Sequence, residues 1–218
     1  MSFLVPVDLS TPSLAAIELA AWIGRATSEE AVLLHVTSGP PSLELLAALY
    51  ELAAPLRAVG VTARLRTIQG NVPQRIAEEA FRRNSRWIIM GTRGKTGPES
   101  VAQGVMAISQ HPVLAVKPGL NTESLKGVTL WAPARSLSLH AWDVASLLSS
   151  TFGRGPVHRP NYDRCSADTV ACANDVLLVV DVGNQESLVK CQQRISQERC
   201  AVVLVSNPAM EQKAQQAV

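Results

Sequence analysis

Short runs of almost wholly apolar residues alternate with longer stretches of helical spacing through the first 117 residues. The apolar runs are FLVPVD (3–8), AVLLHV (31–36), WIIMG (87–91) and PVLAV (112–116); VTARLRTI (61–68) alternates, as a more exposed strand does. Between them lie TPSLAAIELAAWIGRA (11–26), SLELLAALYELAAPLRAVG (42–60), NVPQRIAEEAFRRN (71–84) and residues 100–110. A strand apolar on both faces must be covered on both faces. Strands of that kind separated by helices predict a parallel α/β sheet. Ligands of such sheets bind beyond the carboxyl ends of the strands, where the strand order reverses. Those ends are Val7-Asp8-Leu9, His35-Val36-Thr37 and Met90-Gly91-Thr92.

Local signals sharpen the helices. Thr11 is placed to cap the first, with Pro12 at its first position. Pro55 interrupts the second, and Asn71 with Gln74 has the spacing of a capping box. The last helix has two possible starts in IIMGTRGKTGPESVAQGVMAISQHPVLAV (88–116). Starting after Gly104 leaves too few residues before Pro112 for a parallel crossover, which takes about a dozen. Starting at Ser100 gives about 16 Å of helix, enough to run back along a five-residue strand. The sequence therefore places Ser100 at the helix start and Gly104 inside it.

Composition excludes several classes. Hydrophobic residues are 47% and charged residues 17% of the 218, so the chain can bury a core. A net charge of +2 without a basic stripe argues against nucleic acid as a partner. No apolar run approaches the ~20 residues of a membrane span, and MSFLVPVDLS does not read as a signal peptide. A cytoplasmic protein without direct membrane insertion is expected. Cys165, Cys172, Cys191 and Cys200 fit no CxxC ligand pair and read as reduced, packed thiols. The four histidines are scattered, so no metal site is expected. No nucleophile–base pairing stands at a recognised spacing, and His35 reads as a satisfied histidine at the end of a buried strand.

Residues 118–126, PGLNTESLK, read as a linker after a first domain (1–118; linker 119–126). The remainder, 127–218, replays part of the first half. GVTLWAP (127–133) resembles the first strand, LSLHAWDVASLLSSTF (137–152) the first helix, and DVLLVVDVG (175–183) resembles RWIIMGTRG. ESLVKCQQRISQERCAVVLV (186–205) resembles ESVAQGVMAISQHPVLAV. The offset is about 125 residues at the first strand and about 90 later, as a truncated, degenerate repeat missing roughly strand two, helix two and strand three would show. Its three strands, 127–132, 176–181 and 201–205, are expected side by side and parallel, resting on other protein surface. The apolar edge PVLAV is expected to be covered by a symmetric partner strand or by this second domain.

Taken in order, FLVPVDLSTPSLAAIELA, LLHV, GNVPQRIAEEA, WIIMGTRGKTG and SVAQGV…HPVLAV resemble the universal stress protein family over residues 3–117. The resemblance implies a five-stranded doubly wound parallel sheet in the order 3-2-1-4-5, followed here by a smaller truncated α/β domain. It implies homodimers through the last strand and, in one branch, AMP or ATP binding. In that branch adenine and ribose are held at Asp8 and by backbone around Pro6, Val7 and Val36. The ribose-phosphate is held at Met90, Gly91 and Gly94, then at the helix start, here Ser100 and Val101. This chain departs from the family pattern G-x2-G-x9-G-[ST]. Gly91, Gly94 and Gly104 match it only in a register the crossover length forbids, and Glu99 takes the place of the last glycine. A carboxylate at a helix start adds bulk and like charge where a phosphate would sit; Arg93 and Lys95 are the nearby cations. AMP or ATP is then held weakly, if at all.

The expected function is a non-enzymatic regulatory protein acting through dimerisation and partner binding. One alternative is a cytosolic regulatory domain attached to the membrane part of a transporter, such as a cation–chloride cotransporter, amino-acid permease or antiporter. A nucleotide-binding member with residual ATPase activity is another.

Overall fold

The computed structural model describes residues 2–92, 100–119, 127–131, 139–152, 176–182 and 201–206. The first five strands are β1 (Ser2–Pro6), β2 (Glu30–Thr37), β3 (Ala63–Gln69), β4 (Ile88–Gly91) and β5 (Val113–Val116). Four connections carry α1 (Thr11–Thr27), α2 (Leu43–Leu52) with α3 (Ala54–Ala58), α4 (Val72–Arg83) and α5 (Val101–Ile108). The strands are parallel and run in the order β3-β2-β1-β4-β5, as expected.

The caps follow the sequence with one correction. Thr11 is not the cap of α1; Ser10 stands there and makes no side-chain cap bond, because its hydroxyl is turned to Asp8. Asn71 Oδ1 accepts from the Gln74 amide at 3.4 Å, and Pro55 lies in the first turn of α3, where the long second helix breaks at Ala53. Ser100 caps α5 and Gly104 lies within it, so the crossover length fixed the register correctly. Gly104 also has a packing reason. A Cβ there would stand 3.0 Å from the Pro73 ring, where α5 crosses α4.

The sheet continues beyond β5. Strands β6 (Gly127–Trp131), β7 (Val176–Val182) and β8 (Ala201–Ser206), with α6 (Leu139–Phe152), extend it to eight strands in the order β3-β2-β1-β4-β5-β8-β7-β6. β6, β7 and β8 are mutually parallel neighbours, and β8 meets β5 antiparallel. The later strands are therefore not a separate small sheet, and the edge of β5 is closed by a strand of the same chain.

Two apolar layers flank the sheet. One, under α4 and α5, holds Leu4, Val32, Leu34, Ile76, Ile88 and Val113. The other, under α1, α3 and α6, runs unbroken across the β5–β8 seam from Phe3 and Ile89 to Val179 and Val203. None of the described helices is long and apolar enough to cross a membrane.

Candidate functional site

The carboxyl ends of β1, β2 and β4 converge with the first turns of α1, α4 and α5 around a cavity of about 470 Å³. That lies in the ~300–1,000 Å³ range of small-molecule sites. Pro6, Val7, Asp8, Val36, Met90, Gly91, Ser100 and Val101, all singled out in the sequence, line it. Gly94, with Arg93, Lys95 and Glu99, lies outside the described residues.

Asp8 does local work. Its Oδ1 accepts from the Ser10 amide (3.1 Å), from the Ser10 hydroxyl and from the Ser13 hydroxyl (2.6 Å). The Asp8 amide donates in turn to Ser13 Oγ at 3.0 Å. This clasp holds the β1–α1 turn, in which Leu9 sits in the left-handed region at φ 61. A ligand hydroxyl reaching Asp8 would have to share a carboxylate already engaged by the turn.

Val7 is also committed. Its amide donates to the Leu34 carbonyl at 2.9 Å, and its carbonyl accepts from His35 Nδ1 at 2.7 Å. That bond puts a proton on Nδ1, since a carbonyl only accepts. His35 is thus the satisfied rim histidine the sequence suggested. Val7 offers the cavity shape rather than a free amide. Val36 lies farther along β2, beyond Pro6, the last residue of β1, which pairs with Leu34.

Gly91 has a reason that does not involve a ligand. A Cβ at this position would lie 2.0 Å from the Pro12 carbonyl oxygen. The start of α1 presses against the end of β4, and only glycine leaves room. The sequence read this residue as part of a phosphate cradle, and the packing alone requires it.

At the opposite wall Ser100 Oγ accepts from the Gln103 amide at 3.4 Å, capping α5. The start of that helix and its dipole make a mildly positive lip. Thr92, at the strand end the sequence pointed to, also lines the cavity, while sequence reasoning missed Ser10, Pro12, Ser13, Leu34 and Ala102, and also Val72 and Ile76 from α4. The topology contained the signal: only two residues separate the end of β3 from the start of α4, so its first turn must stand at the carboxyl end of the sheet. Among the described lining residues Asp8 is the sole ionisable side chain. There is no lysine, arginine, histidine or cysteine among them to bind phosphate or act as a base. No group of three or more metal-ligating side chains occurs among the described residues.

The universal stress protein family profile matches residues 1–117. The chain belongs to the universal stress protein family. Two solved structures share the fold over most of the chain, and a third is similar over about half of it. A functionally unknown protein from Pseudomonas aeruginosa PAO1 is 15% identical with a TM-score of 0.62, over 96% of this chain and 93% of its own. A universal stress protein from Archaeoglobus fulgidus DSM 4304 is 20% identical with a TM-score of 0.55, over 94% and 76%. A universal stress protein from Archaeoglobus fulgidus in complex with dAMP is 20% identical with a TM-score of 0.46, over 53% and 96%. No curated protein matches the chain in sequence.

Proposed function

We propose that this protein is a non-enzymatic, cytoplasmic regulatory member of its family. It takes an adenine nucleoside or monophosphate weakly in the β1–β2–β4 cavity, holds ATP poorly, and acts by presenting its surface to a partner. The observation that carries this reading is the make-up of the cavity. Apolar walls suited to a flat base stand beside one engaged carboxylate and one short helix start, with no cation among the described lining residues. A triphosphate brings several negative charges to such a site and finds, among the described residues, one helix start to meet them. The sequence adds Glu99 immediately before that lip.

The expected size follows from the missing contacts. Losing two charge-assisted hydrogen bonds costs about 3–6 kcal/mol, or roughly two to four decades of affinity. Calorimetric titration with ATP, AMP and adenosine tests it. Adenosine and AMP should bind more tightly than ATP, and Glu99→Gly should recover only part of the ATP affinity. Submicromolar ATP binding by the native chain would overturn the reading.

We further propose that residues 127–206 are a shortened copy of the first domain and supply, within the chain, the partner strand that a second subunit would otherwise bring. Strand register supports this. β1 and β4 align Leu4 with Ile88, and β6 and β7 align Thr129 with Leu178. β4 and β5 align Ile89 with Leu114, and β7 and β8 align Val179 with Val203. These correspondences keep both offsets read from the sequence. Across the seam Leu114 meets Val205, Ala115 meets Leu204 and Val116 meets Val203, which is the same pairing read from either strand. The corresponding residues Phe3 and Val128, Val5 and Leu130, Ile89 and Val179 are all buried in one cluster. So are Leu19 and Val144, and Ala20 and Ala145, on α1 and α6.

A homodimer through β5 is then unnecessary, and the chain should sediment as a monomer at micromolar concentration. A regulatory domain following the membrane part of a transporter would use the same cavity and seam. The length of the native reading frame separates the two.

A further inference from the structure

We propose that the outer edge of β3, with the arginine cluster beside it, is a docking rail for an acidic, extended peptide segment that adds to the sheet as a further strand. β3 is the terminal strand of the eight, and all seven of its residues pair with β2, from Ala63 with Ala31 to Gln69 with Thr37. On its other side it has no strand partner among the described residues. A bare edge is a row of amide and carbonyl groups ready to pair, and strand addition is an established way for a sheet to take a peptide. The middle of β3, Arg64-Leu65-Arg66, is exposed.

Arg64 Nε pairs with Glu30 of β2 at 3.0 Å, its side chain still 68% exposed, and the charge farther along the edge is mainly positive. Glu79 on α4 has a side chain only 4% exposed, and three arginines converge on it. Arg66 Nε stands 2.9 Å from Oε1, Arg82 Nη2 2.7 Å and Arg83 Nε 2.5 Å, while Arg82 Nε reaches Oε2 at 2.9 Å. One carboxylate thus gathers three guanidiniums, leaving a surplus of positive charge. The Arg66 and Arg82 side chains remain 41% and 55% exposed, so they can meet a second anion. Guanidiniums held in place lose little freedom when they pair with another carboxylate. Alternation along β3 puts Arg64 and Arg66 on the α4 side and Leu65 on the other. The matching segment alternates acidic residues with apolar ones.

Charged side chains on an edge strand also serve to discourage pairing. Such guards act as dispersed, solvated charges. Here a buried carboxylate concentrates them in one place, at a desolvation cost that repulsion of other strands does not require.

The test uses the full chain and a fluorescein-labelled ten-residue peptide alternating Glu and Val. The control carries the same number of Glu residues with Pro replacing every second Val, so it cannot pair along an edge. Fluorescence anisotropy at low salt should show saturable binding of the first peptide and little of the second. Arg66→Gln and Arg82→Gln should each weaken binding by about tenfold, with circular dichroism unchanged. Should Arg66→Gln disturb the fold, Arg64→Gln, outside the Glu79 cluster, should still weaken it. Equal binding of the two peptides would overturn strand addition, and absence of binding would overturn the rail. Tighter binding of a single-stranded oligonucleotide of equal charge would assign the cluster to nucleic acid and overturn the peptide.

Discussion

Gly91 and Asp181 stand at matching places in the two halves of the sheet. Gly91 is paired with Val116 at the end of β4, and Asp181 with Val205 near the end of β7. In the first half the backbone of Pro12 leaves no room for a Cβ. In the second half the chain carries a carboxylate-bearing side chain at that point. The difference teaches what the glycine is for. It is the mark of a helix start driven against a strand end, the same approach that shapes the floor of the cavity. At Asp181 the residue type makes no such demand on the chain around it. The first half holds a ligand-sized cavity, and the described part of the other contributes three strands and a helix to the common core.

The comparison is broken most directly at those two positions. Gly91→Ala should cost about 3 kcal/mol or more, the upper range for overpacking, because the obstacle is backbone and cannot rotate away. Asp181→Ala should stay within about 0.5 kcal/mol. Thermal melts of both variants decide it. A Gly91→Ala protein that melts with the parent would show that α1 does not approach β4 as described.

The seam gives the next effect. Val203 is fully buried and paired with Val116. Val203→Ala should cost about 2 kcal/mol through lost burial and the cavity left behind. Because the seam is the edge of β5, loosening it should also let chains associate through β5, visible as concentration-dependent sedimentation. A destabilised variant that stays strictly monomeric at high concentration would argue that β5 has no tendency to self-pair.

These effects also show what was legible beforehand. Strands were readable because buried parallel strands leave unbroken apolar runs, and Gly104 was placed inside α5 because crossover length is a geometric constraint. The seam was half readable. PVLAV announces an edge that must be covered, but which strand covers it is set by distant residues. The site was legible as positions rather than as roles. Gly91 suits both a phosphate loop and a crowded helix start, and Asp8 suits both a ribose and a turn clasp; spacing alone does not separate them. Val72 and Ile76 escaped notice because apolar residues at helical spacing read as core until the topology turns them toward a cavity.

An effect of similar size in the first half depends on pH. Glu79 is a buried carboxylate of the first half. Burial raises its pKa, but the hydrogen bonds from Arg82 and Arg83 and the charge of Arg66 outweigh that and hold it below the usual 4.5. A depressed carboxylate contributes stability that is full above pH 4.5 and is lost as pH falls through the folded-state value. Glu79→Gln should cost about 2 kcal/mol at neutral pH and flatten the acid limb of the stability curve. An unchanged acid limb in the variant would show that Glu79 is not the group that titrates there.

The smallest effect belongs to Ser100, and it sharpens the reading of the cavity. Its hydroxyl accepts from the Gln103 amide at a long 3.4 Å, so the cap is a weak one. Ser100→Ala should therefore cost about 0.5 kcal/mol, the low end for an N-cap. The same hydroxyl lies on the cavity wall at the α5 lip, where a monophosphate would rest. Removing one neutral hydrogen bond to a phosphate should weaken AMP by about threefold to tenfold. Adenosine carries nothing to that lip and should bind as before. Ser100→Gly separates the two roles further, since glycine is a tolerated cap without a hydroxyl. It should restore most of the stability and none of the AMP affinity. If AMP and adenosine weaken together in both variants, the phosphate does not sit at the start of α5, and the nucleotide, where bound, is held from the β1 and β2 ends alone.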